Sequence, residues 1–411
     1  MADIISACGA TTTPPARPPL SFDDTEVAFT SKTNRDLQRM HLLFAALNYP
    51  RLTDVGTAAV RLAMRARLPV TGLLRETIFR QFVGGESIED CEAVMQTLAR
   101  YGIGTILDYS VEGAKDEPGF ERTADEVRAV IERAAGEAHL PFAVFKMTGV
   151  ARFALLAKKQ TAQPLTEGER REWQRVEARV DRICRAAWER GVRVFIDGEE
   201  TWIQGSIDAL ADEMMARYNV EQPLIFNTYQ LYTRAALPAL ESAHARAVAE
   251  GYHLGAKLVR GAYLERERDR AEERGYADPT QPTKTTTDRD FDAAVAFCLD
   301  RLEVIAFCAG THNEASCYRL ADALAARHLP PNDPRVWFAQ LYGMSDHISF
   351  NLARAGYNVA KYVPYGPVRA VVPYLIRRAE ENTAVAGQSS RELTLVRREI
   401  DRRRLRRRVG G

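Results

Sequence analysis

The sequence predicts an α/β protein, a TIM-like (β/α)8 barrel that carries an N-terminal helical arm. Two observations predict this fold class. Eight short apolar or β-branched runs alternate with helical patterns between residues 103 and 390, as expected for buried parallel strands joined by helices. Before residue 102 only helical spacing is found. The runs lie at residues 105–111, 142–147, 192–197, 223–228, 256–261, 303–308, 335–340 and 358–363.

An open doubly wound sheet is the alternative arrangement for such strands and helices. If that sheet bound a dinucleotide, its first strand would normally be followed by a glycine-rich GxGxxG turn. The segment after the first run reads VEGAKDEPG, which lacks this pattern. The barrel is therefore preferred.

The chain divides into four predicted parts. Residues 1–20 are predicted to be a disordered arm, because a Thr- and Pro-rich stretch cannot bury a core. Residues 21–102 form an N-terminal helical region, in which apolar residues recur every three or four positions. The (β/α)8 barrel spans residues 103–390, and a basic C-terminal tail spans residues 391–411.

The clearest helix of the barrel is predicted between Thr166 and Gly191. Thr166 and Glu169 have the spacing of a capping box, in which each side chain satisfies a free backbone N–H of the first turn. Gly191 is suited to end the helix, because glycine adopts the left-handed conformation without steric cost. The apolar stripe of this helix consists of Trp173, Val176, Val180, Ile183 and Ala187.

The overall charge balance excludes a general polyanion binder. The chain has 411 residues, with 56 Lys and Arg against 55 Asp and Glu, a formal net charge of +1. Its six cysteines form no CxxC pair, so a structural zinc site is not expected, and no metal site is predicted. No stretch is long and apolar enough to span a bilayer, so a membrane-spanning segment is not expected.

The basic tail has a strong local charge. Residues 397–408 carry eight Arg and two acidic residues, a local charge of +6. The simplest interpretation is a solvated, partly helical tail, and the alternative is a peripheral contact with acidic lipid headgroups. A nucleic-acid partner is not predicted, because aromatic interleaving and a recognition motif are both missing.

Polar and titratable residues gather where the predicted strands end. The carboxyl ends of barrel strands meet at one rim, where the active sites of this architecture lie. A rim that is cationic, aromatic and rich in amides suits a large planar cofactor with phosphates and an anionic substrate. Arg377 and Arg378 are adjacent in the last barrel helix, and their long side chains can converge on one carboxylate. The alternative is that they pair with Glu380, Glu381 or solvent.

Eight motifs at this rim resemble the proline dehydrogenase family, in its monofunctional, FAD-dependent form. They occur in order, and the separation of KLVRGAY from YLIRR makes the match specific. The resemblance implies a distorted (β/α)8 barrel with FAD bound across the carboxyl ends of the strands. It also implies oxidation of L-proline to Δ1-pyrroline-5-carboxylate, the first step of proline degradation to glutamate, with electrons passed to a membrane quinone. The motifs are FKMTG (145–149), IDGEE (196–200), NTYQ (227–230), KLVRGAY (257–263), GTHN (310–313), QLYGM (340–344), YVPYG (362–366) and YLIRRAEEN (374–382).

The resemblance implies roles for residues that bind the substrate. Lys146, Arg377 and Arg378 match the clamp for the proline carboxylate, and Asp197 matches the acid that holds Lys146 and the pocket in place. Three further residues are expected beside the substrate ring: Leu258, Tyr263 and Tyr362.

The resemblance likewise implies cofactor contacts. Asp197, Lys257 and Tyr263 are expected to take part in catalysis, with Lys257 stabilising the negative charge that develops on the reduced flavin. The positions that match flavin contacts are Asn227, Lys257, Val259, Gly261, Thr311, His312, Gln340 and Glu381.

Several alternatives stay open at the level of sequence. Related hydroxyproline dehydrogenases carry a smaller residue at the position of Tyr362, so this phenol favours proline over hydroxyproline. A barrel with lysines at its strand ends is also compatible with a Schiff-base aldolase, in which Lys146 or Lys257 is the nucleophile. The expected compartment is a bacterial cytoplasm, with possible peripheral contact at the inner membrane, and a mitochondrial location is the alternative. The oligomeric state is left open.

Overall fold

Eight strands form the centre of the molecule in this computed structural model. The structure describes residues 20–49, 56–60, 71–110, 116–384 and 388–409, so the predicted arm lies outside it except for residue 20. The strands are β1 (Ile103–Tyr109), β2 (Phe142–Lys146), β3 (Arg193–Asp197), β4 (Ile225–Gln230), β5 (Leu254–Val259), β6 (Ile305–Gly310), β7 (Val336–Leu341) and β8 (Val359–Tyr365).

The strands pair in chain order and close into a parallel barrel. Each strand pairs with its sequence neighbours, and β1 pairs with β8 to complete the ring. All eight predicted strands are present, and the predicted (β/α)8 class is confirmed. The register aligns Lys146 of β2 with Asp197 of β3, which brings two predicted site residues together at the carboxyl rim.

Helices surround the barrel and precede it. Before β1 lie α1 (Thr25–Ala28), α2 (Asn34–Leu47), α3 (Thr71–Leu74), a π-helical segment (Arg75–Phe79), α4 (Arg80–Phe82), a 3₁₀ turn (Glu89–Cys91) and α5 (Glu92–Arg100). The barrel helices are α6 (Glu117–Ala134), α7 (Met147–Val150), α8 (Phe153–Gln160), α9 (Glu167–Arg190), α10 (Thr201–Tyr218), α11 (Ala236–Glu250), α12 (Leu264–Arg274), α13 (Lys284–Leu299), α14 (Glu314–Ala326), α15 (Asp346–Arg354) and α16 (Val368–Ala384). The last helix described is α17 (Gln388–Val409).

Helix α9 has the ends that its sequence predicts. The Thr166 hydroxyl accepts a hydrogen bond from the Glu169 N–H, and the Glu169 carboxylate accepts one from the Thr166 N–H. Gly191 ends the helix in the left-handed conformation, at φ 64°. The apolar stripe of α9 is buried against the barrel. The capping box and the terminal glycine are therefore confirmed.

Aromatic rings fill the inside of the barrel below the rim. Phe142 and Phe195 stack with their ring centroids 4.2 Å apart, and Phe226 meets Phe142 edge-on at 5.5 Å. Successive side chains of a strand point to opposite faces, so the residues two positions after Phe195 and Phe226 also point inward. In β3 that residue is Asp197, which places a carboxylate directly above an apolar floor.

Helix α17 occupies the segment for which the sequence favoured a solvated, partly helical tail. Leu393 and Val396 pack with Phe44 of α2 in a second apolar cluster. The buried Glu399 pairs with Arg402 and Arg403 at 2.7 and 2.6 Å. Much of the local positive charge is therefore matched by acidic groups of the same protein. None of the described helices is long and apolar enough to cross a bilayer.

Candidate active site

Asp197 is the centre of a cluster of charges at the carboxyl rim. The Lys146 Nζ donates to its Oδ2 at 2.7 Å, and the Lys257 Nζ donates to its Oδ1 at 2.5 Å. Burial alone would raise the pKa of Asp197, but the two ammonium groups outweigh it and lower the pKa to about 2. The carboxylate is therefore ionised at neutral pH and ties together the ends of β2, β3 and β5.

Lys146 is held in its charged form by this cluster. Burial opposes the charge, but Asp197, and then Asp108, raise the pKa of Lys146 above its ordinary value. A Schiff-base nucleophile must be a neutral amine. The ion pair therefore argues against Lys146 as the nucleophile of an aldolase and in favour of a permanent cation.

Tyr362 forms an aromatic wall beside Lys257. The Lys257 Nζ lies 4.3 Å from the centroid of the Tyr362 ring, within the range of a cation–π interaction. The Tyr362 hydroxyl lies 3.5 Å from Asp197 Oδ1, and its ring stacks above Phe195 with centroids 6.2 Å apart. Burial raises the pKa of Tyr362 well above its ordinary value, so the phenol stays neutral. The wall beside the charges is therefore bulky and uncharged.

The loop that follows β5 brings Tyr263 to the same rim. Gly261 adopts φ 116°, and a Cβ atom there would lie 1.9 Å from the Tyr232 ring. Only glycine fits this position, because both the space and the backbone angle exclude a side chain. Burial raises the pKa of Tyr263, and the charges that act on its phenol include Lys146 and Arg377. Tyr263 therefore lies within electrostatic range of both Lys146 of β2 and Arg377 of α16.

Helix α16 carries the two adjacent arginines of the predicted carboxylate clamp. Arg378 is buried, and its guanidinium lies 5.0 Å from the centroid of the Tyr374 ring, one turn earlier. Arg377 is half-buried, and its positive charge interacts with the phenol of Tyr263. The positive charge of Arg378 interacts with the imidazole of His312. Both arginines therefore lie within electrostatic range of predicted site residues. The Glu381 side chain lies outside the part of the chain that the structure describes.

His312 is a neutral imidazole whose ring nitrogens both contact the protein. Its Nδ1 lies 2.8 Å from the Ser345 hydroxyl, and the Leu341 N–H points to its Nε2 at a long 3.4 Å. Burial, and then the cations Lys361 and Arg378, lower the pKa of His312 to about 3. Since Nε2 accepts, Nδ1 carries the proton and donates to Ser345. The ring face is then the part of His312 that can meet a ligand.

Val259 and Thr311 line the β5–β6 side of the rim. Val259 is half-buried and faces Gly310, where an added Cβ would meet its methyl group at 3.0 Å. The buried Thr311 hydroxyl accepts hydrogen bonds from Arg260 and from the Asn313 N–H. Arg260 also donates to Asp288, so it braces this side of the rim from outside.

The structure does not bring Asn227, Leu258 and Gln340 into the cluster. The Asn227 amide donates to Asp208 on α10, and Leu258 is fully buried between the strands and the helices. The Gln340 amide donates to the Thr311 carbonyl and accepts from the Ser349 hydroxyl. Their side chains point away from the barrel interior. Successive side chains of a strand point to opposite faces, and the neighbours of these residues in sequence point inward. The contacts of all three support the strands and loops, and their roles as ligand contacts stay predictions.

Four residues at the rim lie in the quoted motifs but were given no role from the sequence. Leu341 packs against the inner aromatic cluster, and Tyr374 lies beside Arg378. The Gln230 amide donates to the Glu199 carbonyl at 2.6 Å, and the Glu199 carboxylate accepts from the N–H and hydroxyl of Thr148. The alternation of inward and outward side chains along a strand would have identified Gln230 and Leu341 as inward-facing. The four-residue spacing of a helix would have placed Tyr374 on the same face as Arg378.

The residues present fit a large anionic cofactor together with a small anionic substrate. Lys146 and Lys257 both pair with Asp197 at the rim, and Arg377 and Arg378 of α16 add two further cations, whose charges act on Tyr263 and His312. The backbone at Gly261 is open, since that residue is exposed and has no side chain. Among the described residues no group of His, Cys, Asp and Glu is arranged to hold a metal ion.

Comparisons with known proteins agree with this geometry. The proline dehydrogenase family model matches residues 91–391. The carbapenem antibiotics biosynthesis protein CarD of Pectobacterium carotovorum subsp. carotovorum is 37% identical over 331 residues, covering 80% of this chain and 84% of that protein. Mitochondrial proline dehydrogenase 1 of Dictyostelium discoideum is 30% identical over 426 residues, covering 92% of this chain and 74% of that protein.

A solved structure shares the fold. Proline utilization A from Bdellovibrio bacteriovorus, inactivated by N-propargylglycine, superposes with a TM-score of 0.68 at 19% identity. The superposition covers 88% of this chain but 38% of the solved chain, so the chain spans less than half of that larger protein.

Proposed function

We propose that this chain, which belongs to the proline dehydrogenase family, oxidises L-proline to Δ1-pyrroline-5-carboxylate and uses FAD as its cofactor. The observation that carries the proposal is the cluster of Lys146, Asp197 and Lys257 at the carboxyl rim, together with Arg377 and Arg378 of α16, whose charges act on Tyr263 and His312. This arrangement provides cations for a carboxylate and, beside them, an uncharged wall for an apolar ring.

The substrate carboxylate would be held by Lys146, Arg377 and Arg378. Arginine pairs with a carboxylate through two parallel hydrogen bonds, which set orientation as well as affinity. Asp197 fixes Lys146 in place, so the ammonium group is oriented before the substrate arrives. The Tyr362 ring then limits the space beside the substrate ring.

The cofactor would be held by Lys257, Val259, Gly261, Thr311 and His312, with Glu381 as a further contact. FAD supplies the hydride acceptor that no amino-acid side chain provides. Lys257 places a cation where negative charge develops during the reaction, and stabilising such charge in a dry site is worth far more than in water. The neutral His312 ring adds a face for packing without competing for the phosphates.

The proton of the proline amine is expected to leave to solvent. A cationic nitrogen cannot supply the electrons of the forming imine, so the amine must be neutral before hydride departs. Asp197 is a poor base because its pKa is about 2 and both of its oxygens accept from ammonium groups. Burial keeps the Tyr263 phenol protonated, so it is not a base either.

The purified protein offers a direct test. It should be yellow and should lose its visible flavin absorbance when L-proline is added without oxygen. The bleaching should be slower by at least about tenfold with 4-hydroxyproline, since the Tyr362 ring occupies the space of the added hydroxyl. A flavin that L-proline does not reduce would contradict the proposed substrate, and reduction by 4-hydroxyproline alone would favour the hydroxyproline enzyme.

A membrane quinone is the proposed electron acceptor, with a peripheral membrane contact through the exposed face of α17. The exposed residues Arg404, Arg407 and Arg408 are the proposed contacts for acidic headgroups, and of these Arg404 also pairs with Asp401 at 3.7 Å. Changing these three to Gln should reduce binding to anionic vesicles and leave binding to neutral vesicles unchanged. Equal binding to both kinds of vesicle would contradict the electrostatic contact. A bacterial cytoplasm is the proposed compartment, with the mitochondrion as the alternative.

A further inference from the structure

The loop between β7 and α15 is fixed by distant parts of the chain. The Gln81 amide donates to the Gly343 carbonyl at 2.8 Å, and the Lys361 Nζ donates to the Met344 carbonyl at 2.5 Å. The Ser345 N–H donates to the Glu392 carboxylate at 2.5 Å. The N-terminal helices, β8 and α17 therefore meet at this loop.

Ser345 links the C-terminal helix to the rim. Its N–H contacts Glu392, and its hydroxyl lies 2.8 Å from His312 Nδ1. Ser345 and Glu392 are both 1% exposed, so water does not replace either contact readily. Ser345 also adopts φ 51°, a left-handed conformation that a non-glycine residue holds only when its surroundings enforce it. A chain of contacts thus runs from α17 through one strained residue to an imidazole of the site.

We propose that Glu392 is a positioning residue of the cofactor site, which holds Ser345 so that its hydroxyl fixes the His312 ring. This inference rests on the proposed function, because it takes His312 to be a flavin contact. Helix α17 then contributes a positioning residue to the flavin site, although the helix lies outside the barrel.

Glu399 provides the matched control for this role. It lies in the same helix, is also buried, and pairs with Arg402 and Arg403. Arg403 in turn donates to the Phe29 carbonyl, so this pair ties α17 to the N-terminal helices. The partners of Glu399 lie in α17 and, through Thr25, in α1, whereas Glu392 contacts the β7–α15 loop. A purely structural role for α17 predicts equal effects of removing either carboxylate.

The experiment measures how fast FAD leaves the holoenzyme after dilution, from the fluorescence of the released flavin. Glu392→Leu should release FAD about tenfold faster, because the Ser345 N–H is left buried and unpaired. Glu392→Gln retains an acceptor oxygen and should stay within about twofold of the wild type. Glu399→Leu should lower the thermal midpoint but leave the release rate within about twofold.

A second variant keeps the test decisive if Glu392→Leu does not fold. Ser345→Ala retains the contact with Glu392 but removes the hydroxyl beside His312, and it should also release FAD faster by about tenfold. Wild-type release rates in both Ser345→Ala and Glu392→Leu would overturn the proposal, as would equal acceleration in Glu399→Leu. A wild-type protein that binds no FAD would instead overturn the proposed function.

Discussion

The Nζ atom of Lys257 lies 2.5 Å from Oδ1 of Asp197, on the carboxylate oxygen that Lys146 leaves open. One carboxylate thereby holds two cations that belong to different strands. Buried charges of this kind contribute little net stability when complete, but removing one partner is strongly destabilising because it leaves the others uncompensated.

Asp197→Asn should destabilise the protein and impair catalysis together. The two lysines would lose their shared counter-ion, and we expect a loss of about 3–5 kcal/mol in the free energy of unfolding by urea. The kcat/KM for proline should fall at least about tenfold, because Lys146 is no longer oriented. Asp333→Asn removes a partner of Arg335 at the opposite end of β7 and should leave kcat/KM unchanged. Full activity in Asp197→Asn would contradict the orienting role.

Arg378→Met should separate substrate binding from cofactor binding. Loss of one guanidinium from the clamp should raise the KM for proline at least about tenfold, since a charged hydrogen bond is worth roughly 1.5–3 kcal/mol. The flavin content of the purified protein should not change. Arg369→Met is the control, because Arg369 is exposed on the same helix. A proline KM equal to that of the wild type would remove Arg378 from the clamp.

Tyr362→Ser should relax the choice between proline and 4-hydroxyproline. Removing the ring opens space beside the substrate, so the kcat/KM ratio of hydroxyproline to proline should rise about tenfold or more. Tyr374→Phe serves as a comparison, because it keeps the ring beside Arg378 and should leave that ratio unaltered. If the Tyr362→Ser ratio matched that of the wild type, steric exclusion by this wall would be wrong.

Glu199→Gln should change the pH dependence of stability. Burial raises the pKa of Glu199 to about 7, above its ordinary value of 4.5, so the folded state binds more protons than the unfolded state between these values. The contribution of Glu199 to wild-type stability should therefore fall as the pH rises from about 4.5 to 7, whereas a neutral Gln carries no such loss. The thermal midpoint of Glu199→Gln minus that of the wild type should increase over this range. A difference independent of pH would show that Glu199 titrates normally.

The predicted site residues that lie outside the charge cluster show what the sequence pattern does not predict, namely the face to which each strand side chain points. Leu258 and Val259 are adjacent and both apolar, yet one lies between strand and helices and the other faces the rim. A strand of a parallel barrel is buried on both faces, so its sequence does not alternate between apolar and polar residues. Leu341, which faces inward, was passed over for the same reason, and Asn227 was assigned to the rim although it faces α10.

The sequence by itself determined the eight strands, the capped helix α9, the family and the strand-end positions of Lys146, Asp197 and Lys257. These features depend on local periodicity, on turn chemistry and on short motifs, all of which involve residues that are close together in the sequence. The tertiary structure determined which side chains of each strand point into the barrel, how α17 packs and that Glu392 contacts Ser345. Glu392 and Ser345 are 47 residues apart. Contacts of this kind depend on how elements pack in space, and no local pattern records them.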